Sequence, residues 1–334
     1  MHKTKIKNLV VVIQGGLGKV LSSTPAIKQL KIENPDKNIV VLSGWPDVFI
    51  MNPYVHRSFS FNENKYLYED YLKEGSIIDA NPYHADSYRF EMKHLALGFC
   101  DALGVKDSSQ VGIDPLIYLP ESDDNNAMAE LNQLRQNGKK VIIVQYLGGA
   151  PKDPKTNIQT PTGRENLQLF SDILNGIPED ANWLIMKALD QPTIPIKSKT
   201  IFAKTENVHF RNWMALIKHC DGFLGIDSCG HHMAAAFSKP SVVVWGRTKA
   251  KQLGTYKNQI DISGQCPETD FPCNEFLQIP GVSFICKYDY KCIKSINKEI
   301  VIEKVKEHLL KLPIGKPVPS VIPLTTAEMA KLKK

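Results

Sequence analysis

The stretch LVVVIQGGLGKVLSSTPAIKQLKIENPDKNIVVL, residues 9–42, decides how the rest of the chain is read. Leu9–Ile13 is an unbroken apolar, β-branched run, the pattern of a strand buried on both faces. Gly15, Gly16 and Gly18 follow, and then Val20, Leu21, Ala26, Ile27 and Leu30 recur at helical spacing. Pro25 lies inside that pattern, which predicts a helix beginning near Ser23 and Thr24 with Pro25 in its first turn. Ile39–Leu42 is a second apolar strand. A strand–turn–helix–strand unit of this kind opens a parallel α/β sheet.

Working outward, Ser76–Asp79 reads as a short strand ending in a carboxylate, and residues 88–103 read as helical. Residues 45–75, rich in Asn, Tyr and Phe, carry no clear period. A segment with Pro115, Pro120 and a polar run, residues 107–126, reads as a crossover, after which the same grammar restarts. A helix is predicted over 125–136, a strand over Val141–Tyr146, a Gly/Pro/Lys loop over 148–163 and a helix over 165–175. Then come a strand at Trp183–Met186, a helix at 212–219, a strand at Gly222–Ile226, a helix from about Gly230, a strand at Ser241–Trp245 and a last long helix at 298–311. No tandem repeat is present; what repeats is the architecture. The expected domains are residues 1–125 and 126–311, with the tail 312–334 able to pack back on the first.

The length of 334 residues suits two domains. With 43% hydrophobic and 23% charged residues the composition is that of an ordinary globular protein and excludes disorder as the main state. Lys plus Arg is 41 and Asp plus Glu is 35, a net charge of +6. That suits an anionic ligand such as a nucleotide and makes nucleic acid an unlikely partner. No run approaches the ~18 apolar residues of a transmembrane helix, and the short apolar run after the basic start does not make a secretory signal, so a cytoplasmic location is expected.

Two segments carry chemistry. In Gln14-Gly15-Gly16-Leu17-Gly18-Lys19 the glycines let backbone approach a ligand, and the helix start favours an anion. The dinucleotide fingerprint fails at Leu21, and the Walker pattern fails because Val20 follows Lys19. A tight turn and a ligand-facing loop both fit. In Gly222-Phe-Leu-Gly-Ile-Asp227-Ser228-Cys229-Gly230-His231-His232-Met-Ala-Ala-Ala, an apolar strand ends in Asp227, where ligands bind in open α/β sheets. Ser228 can cap the next helix, Gly230 permits close approach, and backbone amides at 228–232 suit a pyrophosphate with His232 above them. The plainer reading makes Asp227 an ordinary cap and the histidines surface residues. Adjacent His231 and His232 diverge by about 100° on a helix and share a metal poorly. No Gly-x-Ser-x-Gly elbow surrounds Ser228.

Together these segments resemble glycosyltransferase family 9, the lipopolysaccharide heptosyltransferase-like family. The first signature is Gly16-Leu-Gly18-Lys19-Val-Leu-Ser-Ser-Thr24-Pro25-Ala26-Ile-Lys-Gln-Leu30-Lys31. The second is Asp227-Ser228-Cys229-Gly230-His231-His232, then Ala235-Ala236, Lys239-Pro240 and Gly246-Arg247-Thr248. A weaker echo is Cys286 to Cys292, followed by Ile293 and Ile296. The resemblance spans roughly residues 8–310. It implies a GT-B fold, two Rossmann-like parallel-sheet domains facing across a cleft, with an acceptor domain first and a nucleotide-sugar donor domain second. It implies an inverting transfer of a sugar, heptose among the candidates, from a nucleoside diphosphate, ADP favoured, to a hydroxyl of a glycan or other acceptor. No redox cofactor is implied.

Under that resemblance Asp227 binds sugar hydroxyls, while Ser228, Gly230 and His232 hold the pyrophosphate. Gly16 and Gly18 face the ligand, and Gly148, Lys152 and Arg164 supply the donor-side loop. The resemblance places a catalytic Asp where this chain has Lys19, a poor base unless desolvated. Lys19 and Asp79 are the catalytic candidates, with His84 beside them. The Lys19 departure keeps open a catalytically impaired nucleotide-sugar or glycan-binding protein, and a nucleotide-sugar epimerase is a further alternative. Cys266, Cys273, Cys286 and Cys292 put four thiols within a short span, which fits either a structural zinc or iron site or free thiols.

Overall fold

In the computed structural model the described residues are 8–62, 66–90, 93–148, 163–177, 179–188, 191–205, 209–266 and 288–311. They divide into two compact units, one within residues 1–120 and the other beginning at Glu121. The expected tail contact, residues 312–334, lies outside the described residues.

The first unit runs β1 (Asn8–Ile13), α1 (Leu17–Glu33), β2 (Asn38–Ser43), β3 (Arg57–Phe59), β4 (Ser76–Asp79), α2 (Asp86–Arg89) and α3 (Leu95–Leu103). Its sheet has the order β3-β2-β1-β4, and every pairing is parallel. Val11, Ile13, Ile39 and Val41 are completely buried, as the apolar runs required. The chain leaves β1 toward β2 on one side while β4 pairs on the other. The carboxyl ends of β1 and β4 therefore flank a topological switch point, where side chains and ligands have room to meet.

Helix α1 starts at Leu17, earlier than expected, with Pro25 inside it. Pro25 cannot donate to the carbonyl of Leu21, but the Thr24 hydroxyl does so at 2.7 Å, and Ser23 likewise donates to the Val20 carbonyl at 2.6 Å. The proline's lost hydrogen bond is replaced locally, so the helix continues. The predicted helix over 88–103 is two pieces, because His94 takes extended dihedrals and caps α3 through Nδ1, which accepts from the Ala96 amide at 3.2 Å.

The second unit runs α4 (Glu121–Leu134), β5 (Lys140–Gln145), α5 (Gly163–Gly176), β6 (Ala181–Lys187), β7 (Ile201–Thr205), α6 (Phe210–His219) and β8 (Gly222–Ile226). It continues with α7 (Cys229–Ala236), β9 (Ser241–Trp245), α8 (Ala250–Leu253), β10 (Gln259–Ser263), α9 (Lys291–Lys294) and α10 (Lys298–Val305). The parallel sheet has the order β10-β9-β8-β5-β6-β7. Its switch point lies between β5 and β8. The central strands are buried throughout, and α5 and α10 pack on the same core through Phe170, Ile173, Val301 and Val305. The expected last helix over 298–311 ends as α10 at Val305 and continues as a wider turn over Lys306–Leu310.

Helix α4 is pinned at its start by charge. Asp124 is buried and accepts from Lys218 Nζ and His219 Nε2, each at 2.8 Å, while Asp123 meets Arg211 at 3.2 Å. Just beyond the helix, Arg135 pairs with Asp221 at 2.9 Å, and Asp221 also accepts from the Val141 amide at 2.8 Å. This network ties α4 to the amino ends of β5 and β8, away from the carboxyl-end crevice.

Candidate functional site

At the carboxyl end of the second sheet, β8 delivers Asp227 and Ser228 beside Gln145, the last residue of β5, which is in register with Gly225. Gln145 is nearly buried and spends its amide on the turn ahead of α7. Its Nε2 donates to Ser228 Oγ at 3.2 Å and points to Cys229 Sγ at 3.7 Å, and its Oε1 accepts from the Gly230 amide at 2.9 Å. A Cβ at Gly230 would stand 2.4 Å from that same Oε1 and 2.7 Å from the Phe223 ring, so the position excludes a side chain. Ser228 is the N-cap, and Gly230 provides the close approach.

Ser228 and His231 form a reciprocal capping box: the serine side chain accepts from the His231 amide, and His231 Nδ1 accepts from the Ser228 amide at 3.3 Å. The amides of Ser228, Gly230 and His231 already have acceptors within the protein. Nor are the histidines surface residues: His231 is completely buried and His232 nearly so, its Nδ1 2.7 Å from the Tyr256 hydroxyl.

Asp227 is partly exposed at the mouth of the turn and accepts from the Thr248 hydroxyl at 2.7 Å. Burial pushes its carboxyl pKa up, while the Thr248 hydrogen bond and the nearby Arg247 charge pull it down. A small cavity of about 40 Å³ is lined by Asn166, Ile226, Asp227, Arg247, Thr248 and Ile293, among others. Asn166 is buried and its Oδ1 has no hydrogen-bond partner. Such a space takes a hydroxyl-bearing edge of a ligand rather than a whole nucleotide. Gly148 is buried, its carbonyl accepting from Gln191 at 3.0 Å. Lys152 lies outside the described residues, as does the side chain of Arg164 at the start of α5.

In the first unit the glycine loop and the end of β4 come together. Gly15 has φ +113°, a left-handed conformation that glycine tolerates, and its carbonyl accepts from Trp45 Nε1 at 3.2 Å. Gly16 caps α1 and faces open space, and Gly18 follows within the helix, its carbonyl accepting from Ser22 Oγ at 3.0 Å. Lys19 Nζ donates to Asn81 Oδ1 at 2.9 Å, lies 4.4 Å from the centre of the Tyr83 ring and feels the charge of Asp79. Burial lowers its pKa to about 8 against the attraction of Asp79. Asp79 is exposed at the end of β4, and His84 Nε2 lies 3.2 Å from Asn81 Nδ2. The three candidates Lys19, Asp79 and His84 thus share one surface.

The linking residue is Asn81, which sequence reading missed. Its signal was an Asn-Pro pair one residue beyond a strand, the mark of a side-chain-capped turn. Gln145, Asn166 and Tyr83 were missed as well. Gln145 alone had a visible sign, a polar residue closing an otherwise apolar strand.

Cys266 is half-buried, and Cys292 is buried in the core beside Ile293 and Ile296. Cys273 and Cys286 lie outside the described residues. Among the described residues no cluster of His, Cys, Asp and Glu is placed to hold a metal ion.

Two parallel-sheet α/β units, each open at a switch point beside a polar strand end, define the GT-B class of glycosyltransferase folds. Within the second unit, residues 189–279 match the family model of glycosyltransferase family 9 (heptosyltransferase). A family 9 glycosyl transferase from Veillonella parvula shares 16% identity, with 92% of this chain and 98% of that chain covered and a TM-score of 0.63. The E. coli ADP-heptose lps heptosyltransferase II shares 14% identity over 92% and 99% of the chains, with a TM-score of 0.59. The dodecameric iron-containing heptosyltransferase TibC, solved with ADP-D-beta-D-heptose, shares 13% identity over 92% and 80%, with a TM-score of 0.58. No curated protein matches the chain. The fold is that of these enzymes, and the family match supports glycosyltransferase activity. Among the described residues no helix is long and apolar enough to cross a membrane.

Proposed function

We propose that the chain transfers a sugar, with inversion, from a nucleoside-diphosphate donor to a hydroxyl of a glycan or other acceptor. The observation that carries this reading is the Asp227 turn. A carboxylate held by Thr248 faces a small polar cavity at a switch point, within the region that matches the family. Asp227 and Asn166 accept from donor-sugar hydroxyls, and Arg247 donates to them. ADP is the favoured nucleotide, because solved heptosyltransferases of this fold hold ADP or ADP-heptose. The second unit, which begins at Glu121, acts as the donor domain and the first as the acceptor domain.

In the first unit Asp79 takes the acceptor proton. The acceptor oxygen bonds to the anomeric carbon as the bond to the pyrophosphate oxygen breaks, and the nucleoside diphosphate leaves with the electron pair. Lys19 is mainly cationic at neutral pH and acts as a donor and charge partner in this step rather than as the base. Asp79→Asn is expected to lower turnover at least ~100-fold with donor affinity unchanged, read as nucleoside-diphosphate release with and without acceptor. An unchanged rate removes Asp79 from the mechanism. Lys19 in place of an aspartate also favours a second reading, a nucleotide-sugar or glycan-binding protein without turnover. Donor binding with no release across a broad acceptor panel would decide for it.

A further inference from the structure

His231 is a position of the second signature to which the family resemblance gives no role. The ring is completely buried, 3.9 Å from His232 and 5.2 Å edge-on from Trp245. Nδ1 accepts from the Ser228 amide, so the ring proton resides on Nε2. Nε2 is buried without a hydrogen-bond partner, and a Cβ on Gly254 would approach it to 2.4 Å. Leaving that group unsatisfied is destabilising, a cost that an apolar side chain would avoid. What the imidazole provides in return is a grip on the backbone next to Asp227. Gln145 grips the same turn from β5.

We propose that His231 is a positioning residue for the donor site: with Gln145 it clamps the Asp227–Ser228 turn before any ligand arrives, and it does so only as the neutral imidazole protonated on Nε2. This rests on Asp227 serving the donor. The groups around the ring are His232 on its own helix, Trp245 on β9, Tyr256, the backbone of Ile226 and Ser228, and the carboxylate of Asp261 on β10; burial favours the neutral ring, while the Asp261 charge and the two backbone contacts favour the protonated one. Asp261 is itself engaged by Trp245 Nε1 at 2.6 Å and Thr255 Oγ1 at 2.7 Å. Protonation of Nδ1 would turn an acceptor into a second donor facing the Ser228 amide and open the clamp.

Two variants separate clamping from packing. His231→Gln keeps a neutral acceptor of the kind found in capping boxes, whereas His231→Leu keeps bulk and removes it. In the ligand-free wild type, imidazole nitrogen shifts should show protonated Nε2 and bare Nδ1 down to pH 5. Amide exchange at Ser228 should quicken at least ~10-fold in His231→Leu and return to within ~3-fold of wild type in His231→Gln. A Nδ1-protonated ring, or equal protection in His231→Leu, overturns the clamp; if His231→Leu does not fold, the wild-type tautomer and the glutamine variant still decide. With a donor that turns over, His231→Leu should raise its KM ~10-fold while His231→Gln restores it, and an unchanged KM overturns the positioning role. If wild type turns over no donor, the proposed function falls, while the exchange and tautomer measurements still judge the clamp.

Discussion

Lys19 illustrates how a single residue's surroundings set its chemistry. Burial lowers its pKa to about 8, while the hydrogen bond to Asn81, the Tyr83 ring face and Asp79 all favour the cation. If its charge is what the reaction needs, turnover falls as pH rises through about 8, and the fall disappears in Lys19→Arg, whose charge persists. A rate that climbs through the same interval would make neutral Lys19 the base instead. The folded state holds this lysine at a cost, because its folded pKa lies below the unfolded value of 10.5. Lys19→Met should therefore stabilise the protein by ~1 kcal/mol at pH 7 while reducing activity, read from urea unfolding beside the rate. Sequence made the identity of Lys19 and Asp79 visible, but not the Asn81 bridge, because the Asn81-Pro82 pair marks a capped turn and says nothing of a partner 62 residues away.

At the scale of elements, the β8–α7 turn has an acid signature. His231 is held near pKa 4, chiefly by burial, against 6.5 for the unfolded chain. Between those values the unfolded state binds the extra proton, so this group's stabilisation is fully present above about pH 6.5 and is lost as pH falls toward 4. The span corresponds to about 3 kcal/mol, and His231→Gln should flatten that part of the stability–pH curve. The network under α4 gives a second test. Asp124→Ala leaves Lys218 and His219 buried without their shared partner and should cost about 3–5 kcal/mol in chemical unfolding. Strands β1, β5, β8 and β9 were legible because they are apolar on both faces. Strands β3, β7 and β10 were not, because edge strands such as Arg57-Ser58-Phe59 and Gln259-Ile260-Asp261-Ile262-Ser263 are half-exposed and mixed in composition. The length of α1 escaped for another reason: the helix passes Pro25 because the Thr24 hydroxyl takes the Leu21 carbonyl, a local bond that has no hydrophobic period to announce it.

Over the whole molecule, the repeated α/β grammar gave two parallel sheets, and the order in which strands join placed a switch point in each. The polar residues that matter sit at those points, Lys19, Asp79 and Asn81 in one unit and Gln145, Asp227 and Ser228 in the other. The central claim is that the Asp227 end of the second unit receives a nucleotide sugar. Thermal-shift titration of the intact chain with ADP-, UDP-, GDP- and CDP-sugars, beside Asp227→Ala, tests it directly. One nucleotide class, ADP first, should raise the wild-type Tm by several degrees at about 100 times its Kd, with most of the shift lost in Asp227→Ala. No shift with any of the four, or an equal shift in the variant, would contradict the account.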